Sequence, residues 1–254
     1  MAEPFDVRCG ETTGDAFPVV DQIAQDAAIG AVASSVSGNG ILAFREGSSG
    51  GSAQLTWFDR DGKQLGIISA PGINQNPTLS PDGQRLAVAR NDIWLIDLLR
   101  GTDSRFTFEG GGAFAWSPDG KMIAFSATRK GQPGIYQKAA SGAGNEELLI
   151  AGTIPWFVGD WSSDGRFIIF RKDNNDLDIW ALPTFGDRKP FPVLQTKFNE
   201  NDDRLSPDGR WIACNSDESG RREIYVQNFP PSGGKWQVSV QGGISPSGGA
   251  TARS

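Results

Sequence analysis

Five side chains in a row, Asn199-Glu200-Asn201-Asp202-Asp203, form the densest chemically capable stretch of this chain. Carboxylates and side-chain amides in such density suit a hard cation such as Ca2+, which takes about six to eight oxygens. They suit equally a polar channel filled with ordered water. Related stretches, Asn74-Gln75-Asn76 and Val158-Gly159-Asp160, stand at the corresponding place ahead of similar turns, where a third copy has only Gly111-Gly112-Ala113. The candidate ligand-binding residues are therefore Asn74, Asn76, Asp160 and Asn201. Asp202 and Asp203 are the candidate metal ligands, and Asp160 or Glu200 the candidate general base. The chain contains no histidine, so a Ser-His-Asp triad is impossible and the commonest metal ligand is missing. Gly47-Ser48-Ser49-Gly50-Gly51 spells a nucleophile elbow, but the strand–turn–helix context and the histidine that an elbow needs are absent. The run from Asp173 to Asp178 lacks the glycine and terminal glutamate of a calcium-binding loop and reads as a solvated turn.

The elements that carry these residues repeat. Ser80-Pro81-Asp82-Gly83, Ser117-Pro118-Asp119-Gly120 and Ser206-Pro207-Asp208-Gly209 are near copies; Ser162-Ser163-Asp164-Gly165 lacks the proline, and Ser37-Gly38-Asn39-Gly40 is a reduced form. Each leads into a short apolar run, such as Leu86-Ala87-Val88 or Ile168-Ile169-Phe170. Proline presets φ for a type I turn, aspartate suits the next position and glycine takes the left-handed one. A residue present in every copy cannot mark a single catalytic centre, so Asp82, Asp119, Asp164 and Asp208 read as structural. The serines fall 43, 37, 45 and 44 residues apart. A constant hairpin at a period near forty indicates a β-propeller with one four-stranded blade per repeat.

The chain's 254 residues hold about six such blades. Blades one to five are expected at residues 32–70, 73–108, 111–150, 155–194 and 199–240. In blades two to five an aromatic recurs in the third strand (Trp94, Tyr136, Trp180, Tyr225), and a repeated aromatic reads as core between sheets. Cys214 takes the slot of Val88, Phe125 and Phe170 and reads as a buried apolar residue. Phe5-Asp6-Val7-Arg8 and Phe17-Pro18-Val19-Val20 read as two strands, and the second resembles the closing strand of later repeats, such as Phe191-Pro192-Val193-Leu194. Residues 1–23 are thus expected to give the outer strands of the last blade, and residues 241–254 its inner strand or a tail. The expected architecture is an all-β, six-bladed propeller with an incomplete last blade closed by the N-terminal strands, a device that hides sheet edges. An incompletely paired last blade also offers an edge for homodimerisation.

Net charge is −6, which disfavours nucleic acid and anionic membrane as partners. No window approaches the length of a spanning helix. The first residues, Met1 to Asp6, have neither a basic region nor an apolar core, so no secretory signal is expected there; a signal already removed would leave the same appearance.

The Ser-Pro-Asp-Gly turn, the apolar run and the acidic-Ile-aromatic third strand together resemble the TolB-type β-propeller repeat, a relative of WD repeats. The stretch from Leu205 to Pro230 is similar to propellers found C-terminal to bacterial serine/threonine kinases, although no kinase motif is encoded. The resemblance covers about residues 32 to 240 and departs at Ser163, at the first turn and in the tail. It implies a bacterial protein whose channel and rim bind proteins or small ligands, in the cytoplasm or the periplasm. The alternative rests on six-bladed propellers of other families: a Ca2+-dependent hydrolase of lactones, such as N-acyl-homoserine lactones, with its site in the channel.

Overall fold

The computed structural model describes residues 63–243 apart from residues 71 and 175, residue 246, and the strand segments 5–6, 11–12, 34–36, 42–46 and 54–58. Every described element is a strand, a turn or a connector. Five four-stranded antiparallel sheets follow one another along the chain. The first contains β3 (Ser34–Val36), β4 (Leu42–Glu46), β5 (Gln54–Phe58) and β6 (Gln64–Ile67). The second contains β7 (Gln75–Leu79), β8 (Arg85–Arg90), β9 (Asp92–Asp97) and β10 (Thr102–Arg105). The third is β11 (Phe114–Trp116), β12 (Met122–Arg129), β13 (Gln132–Ala139) and β14 (Glu147–Ala151). The fourth is β15 (Trp156–Trp161), β16 (Phe167–Asn174), β17 (Asp176–Pro183) and β18 (Phe191–Leu194). The fifth is β19 (Glu200–Leu205), β20 (Trp211–Ser216), β21 (Glu223–Asn228) and β22 (Lys235–Gln237).

Strands within each sheet pair in sequence order, and first strands of consecutive sheets lie side by side, β3 by β7, β11 by β15 and β15 by β19. This is the radial stacking of propeller blades, with the first strand of each sheet innermost. The cores lie between sheets. Leu55 of the first sheet packs on Leu79, Leu86 and Val88 of the second. Ile93 and Phe106 of the second meet Ile123, Phe125 and Tyr136 of the third. Ala124 and Ile135 of the third meet Ile168 and Phe170 of the fourth, and Ile169 and Ile179 of the fourth meet Ile212, Cys214 and Tyr225 of the fifth. Alternation along a strand sends neighbours to opposite faces, which is how Ile123 and Ala124 serve different cores.

The repeated turn has one geometry. In the second sheet the Ser80 hydroxyl donates to Asp82 Oδ1 at 2.6 Å and accepts the Arg85 amide at 2.9 Å. The Gln84 amide donates to the same carboxylate at 3.0 Å, and Gly83 stands at φ 68°. Ser117, Ser162 and Ser206 repeat the hydroxyl–carboxylate bond. The loss of proline at Ser163 leaves it intact. The serine hydroxyl, followed by the Gln84 amide, holds the Asp82 carboxyl below its ordinary value.

In the second and fifth sheets the acidic residue opening the third strand has a task the sequence had not disclosed. Asp92 accepts the Gly110 amide at 2.9 Å and the Thr107 hydroxyl at 3.1 Å, fixing the connector into β11. Glu223 does the same on the fifth sheet, taking the Gly242 amide at 2.9 Å and the Ser239 hydroxyl. Thr107 and Ser239 in turn accept the amides of Ile93 and Ile224 at 2.9 and 2.8 Å.

At the N-terminus two short strands are described. Strand β1 (Phe5–Asp6) pairs with β2 (Glu11–Thr12), with Phe5 opposite Thr12, so a close neighbour in sequence supplies the partner, as short connections favour. Phe17–Val20, Cys9, the hairpin Asp59–Gly62 and the tail after Gly243, save Pro246, lie outside the described residues.

Candidate functional site

Three of the innermost strands carry a β-bulge. Pairing to the second strand shifts between Gln75 and Thr78 in β7, between Val158 and Asp160 in β15, and between Asn201 and Arg204 in β19. Asn76 and Asp202, within two of these bulges, hold left-handed backbone at φ 50° and 52°. Asparagine and aspartate tolerate that region better than other residues with a Cβ. A bulge re-aims a side chain, and strained backbone gathers at functional positions. The bulges fall in the three stretches that composition nominated.

The structure brings three nominated residues together where the fourth and fifth sheets meet. Asp160 accepts its neighbour Trp161's amide at 2.8 Å and, across the junction, the Leu205 amide at 2.8 Å. Asp203 lies flat against Gly159, where an added Cβ would stand 2.0 Å from its Oδ2. Asn201 accepts a hydrogen bond from Arg171 of β16. All three polar side chains Arg171, Asn201 and Asp203 are buried. Arg171 Nε, Asn201 Nδ2 and Asp203 Oδ2 have no partner among the described residues. Arg204 sends its guanidinium to the carbonyls of Gly159 and Asp203 at 3.0 and 2.8 Å. Burial pushes the Asp203 carboxyl up to about 6; Arg204 and Arg171 oppose the shift and the charge of Asp160 adds to it. Burial also raises Asp160 and Glu200.

Four nominated residues are engaged elsewhere. Asn74 is held in the second sheet, accepting from Arg90 Nε at 2.8 Å and donating to Ser69 Oγ at 3.3 Å. The Asn76 carbonyl accepts the Thr78 hydroxyl at 3.1 Å. Asp202 takes Asn215 Nδ2 at 3.0 Å, and Glu200 takes the Thr196 hydroxyl at 2.6 Å.

The family model described as the TolB beta propeller domain matches residues 51–184, more than half of the chain. The chain belongs to the TolB β-propeller family. TolB of Acinetobacter baumannii has a similar structure, with a TM-score of 0.63 and 26% identity over 73% of this chain and 48% of its own. A putative TolB from Agrobacterium tumefaciens gives a TM-score of 0.68 at 20% identity, over 81% of this chain and 79% of its own. A curated relative, the uncharacterized protein Atu1656 of Agrobacterium fabrum, is 26% identical over 191 residues, covering 72% of this chain and 60% of the relative. The chain thus spans less than two thirds of the length of that relative and about half of the A. baumannii protein.

Within this TolB-type propeller, no three or more acidic or cysteine side chains gather as a metal group among the described residues. Asp202 and Asp203 are neighbours in sequence, yet one is tied to Asn215 and the other lies on Gly159. The lactone-hydrolase reading therefore gains nothing from the geometry. Cys214 is buried, and burial pushes its thiol up to about 12, so it is no nucleophile. Sequence reasoning missed Arg171 and Arg204, and it gave Gly159 no role. Arg171 did leave a signal, a cation in the strand slot that holds Ala89, Ser126 and Asn215 in the other repeats.

Proposed function

We propose that this TolB-type propeller is a non-catalytic binding module that receives a protein segment or small ligand at the mouth of its central channel. The observation that carries this reading is the pair of left-handed bulge residues, Asn76 and Asp202, on innermost strands of two different sheets. Beside Asp202 stands the junction of Arg171, Asn201 and Asp203, whose unpaired buried atoms cost free energy and ask for a partner or ordered water. A TolB-family fold, a form of propeller used for protein interaction, supports a protein partner. The ring is completed, in this reading, by a sixth sheet built from both ends of the chain. Glu223 holds Gly242 as Asp92 holds Gly110, and Gly110 leads into the next innermost strand.

Selection of a displayed peptide library on the immobilised chain tests the binding role. Asp202→Gly preserves the backbone freedom that the bulge needs and removes the carboxylate. Enriched peptides should lose at least tenfold in affinity for this variant, with its melting temperature little changed. Peptides that bind Asp202→Gly as tightly as the parent, or no enrichment at all, would refute a channel-mouth site.

A further inference from the structure

Phe167, Phe191 and Phe229 fill the outer part of the junction between the fourth and fifth sheets. Phe167 meets the other two edge-on, with ring centroids 5.8 and 5.4 Å away. The repeat fixes which residues take those three places between the second and third sheets. Arg85 follows Gly83 of its turn as Phe167 follows Gly165. Ser104 pairs with Leu95 as Phe191 pairs with Ala181. The Ala140 amide donates to the Lys121 carbonyl as the Phe229 amide donates to that of Arg210. A guanidinium, a hydroxymethyl and a methyl group thus stand in for three phenyl rings.

A cavity of about 240 Å³ opens at that place, lined by Arg85, Ser104 and Ala140 together with Leu95, Asp97 and Phe106. Roughly 150 Å³ is enough to hold a benzene ring. Leu95, Phe106 and Ala140 are buried and give the cavity an apolar base. Ser104, and Ser141 across from it, are exposed at the rim, so the cavity is open to solvent. An apolar base with a few polar groups at its edge is the usual make-up of a small-molecule site.

Two charged residues in the lining set the polarity of a guest. Arg85 donates to the carbonyls of Ala140 and Gly120 at 2.7 and 3.1 Å, which leaves further guanidinium N–H groups to donate. Asp97 accepts the amides of Arg100 and Leu99 at 2.8 and 3.1 Å, and these bonds hold its carboxyl below the ordinary value. An anionic guest would meet that charged carboxylate. A neutral hydroxyl can accept from an arginine and donate to an aspartate at once.

We propose that this cavity binds one phenol-type ring, an aromatic ring with a neutral hydroxyl. The ring takes the place that Phe191 and Phe229 fill between the fourth and fifth sheets, resting on Leu95 and Ala140, with its hydroxyl toward Arg85 and Asp97. The ring can belong to a free phenolic molecule or to a tyrosine side chain of a partner protein. This site lies on the outer side of the second–third sheet junction and is independent of the channel-mouth reading.

Fluorine NMR of para-fluorophenol, titrated with the full chain, tests the site, with para-fluorobenzoate as the charged counterpart. The phenol should give a saturable change in the millimolar range, and the benzoate should bind about fivefold more weakly. Ser104→Phe returns a ring to the cavity and should abolish the response to the phenol while raising the melting temperature. Displacement of the bound probe by acetyl-tyrosine amide at lower concentration than by phenol would assign the ring to a partner protein, and the reverse to a free molecule. No saturable change, benzoate bound as tightly as the phenol, or an unaltered response of Ser104→Phe would overturn the proposal. Should that variant not fold, nuclear Overhauser contacts between the ring protons and the Leu95 methyl groups can be sought in the parent chain, and their absence would overturn the site.

Discussion

Asp203 is the residue whose chemistry departs furthest from its sequence neighbours. Its carboxyl is 3% exposed and has an oxygen without a partner among the described residues. Its folded pKa of about 6 stands above the ordinary aspartate value of 3.8, so the folded chain holds the proton more tightly than the unfolded one. The stability contributed by this group is full below about pH 4 and is lost as pH rises through about 6. Asp203→Asn, nearly isosteric and never charged, should therefore stabilise the chain by up to about 3 kcal/mol at pH 7.5 and by little at pH 4. Denaturant melts at the two pH values would show it, and an equal effect at both would disprove the assignment. None of this was legible in the linear order, because Gly159, Arg171 and Asp203 come from different strands and only stacking of two sheets makes them neighbours.

At the scale of the element, the repeated turn is a small closed network. The Ser117 hydroxyl accepts the Met122 amide at 2.9 Å and donates to Asp119 at 2.7 Å, with Gly120 at φ 68° alongside. Ser117→Ala removes both bonds from a buried site and should cost about 1–2 kcal/mol, read as a lower denaturant midpoint with an unchanged slope. A cost near zero would mean that proline and glycine shape the turn without the hydroxyl. The turn was readable from sequence because its bonds all run within six residues. The acid that opens the third strand was readable as a recurrence but not as a role, since Asp92 reaches 15 residues on to Thr107 and 18 on to Gly110.

For the whole molecule, the fold depends on faces meeting between successive sheets, so a loose end at one sheet weakens the ring. If both chain ends complete the sixth position, removal of residues 1–12 should lower the melting temperature and increase self-association through the uncovered edge, with light scattering to register the second effect. An unchanged melting temperature and a monomeric mass would separate these residues from closure. The sequence alone determined the strand class, the period and the turn geometry, because those arise from local bonding and side-chain alternation that recur in each copy. Tertiary structure alone decided that β1 pairs with β2, that Asp203 faces Gly159 across a junction, and that Arg90, Arg129 and Lys235 each pair with a distant carboxylate. Such facts depend on which side chains separate sheets present to one another, and no local pattern encodes that meeting.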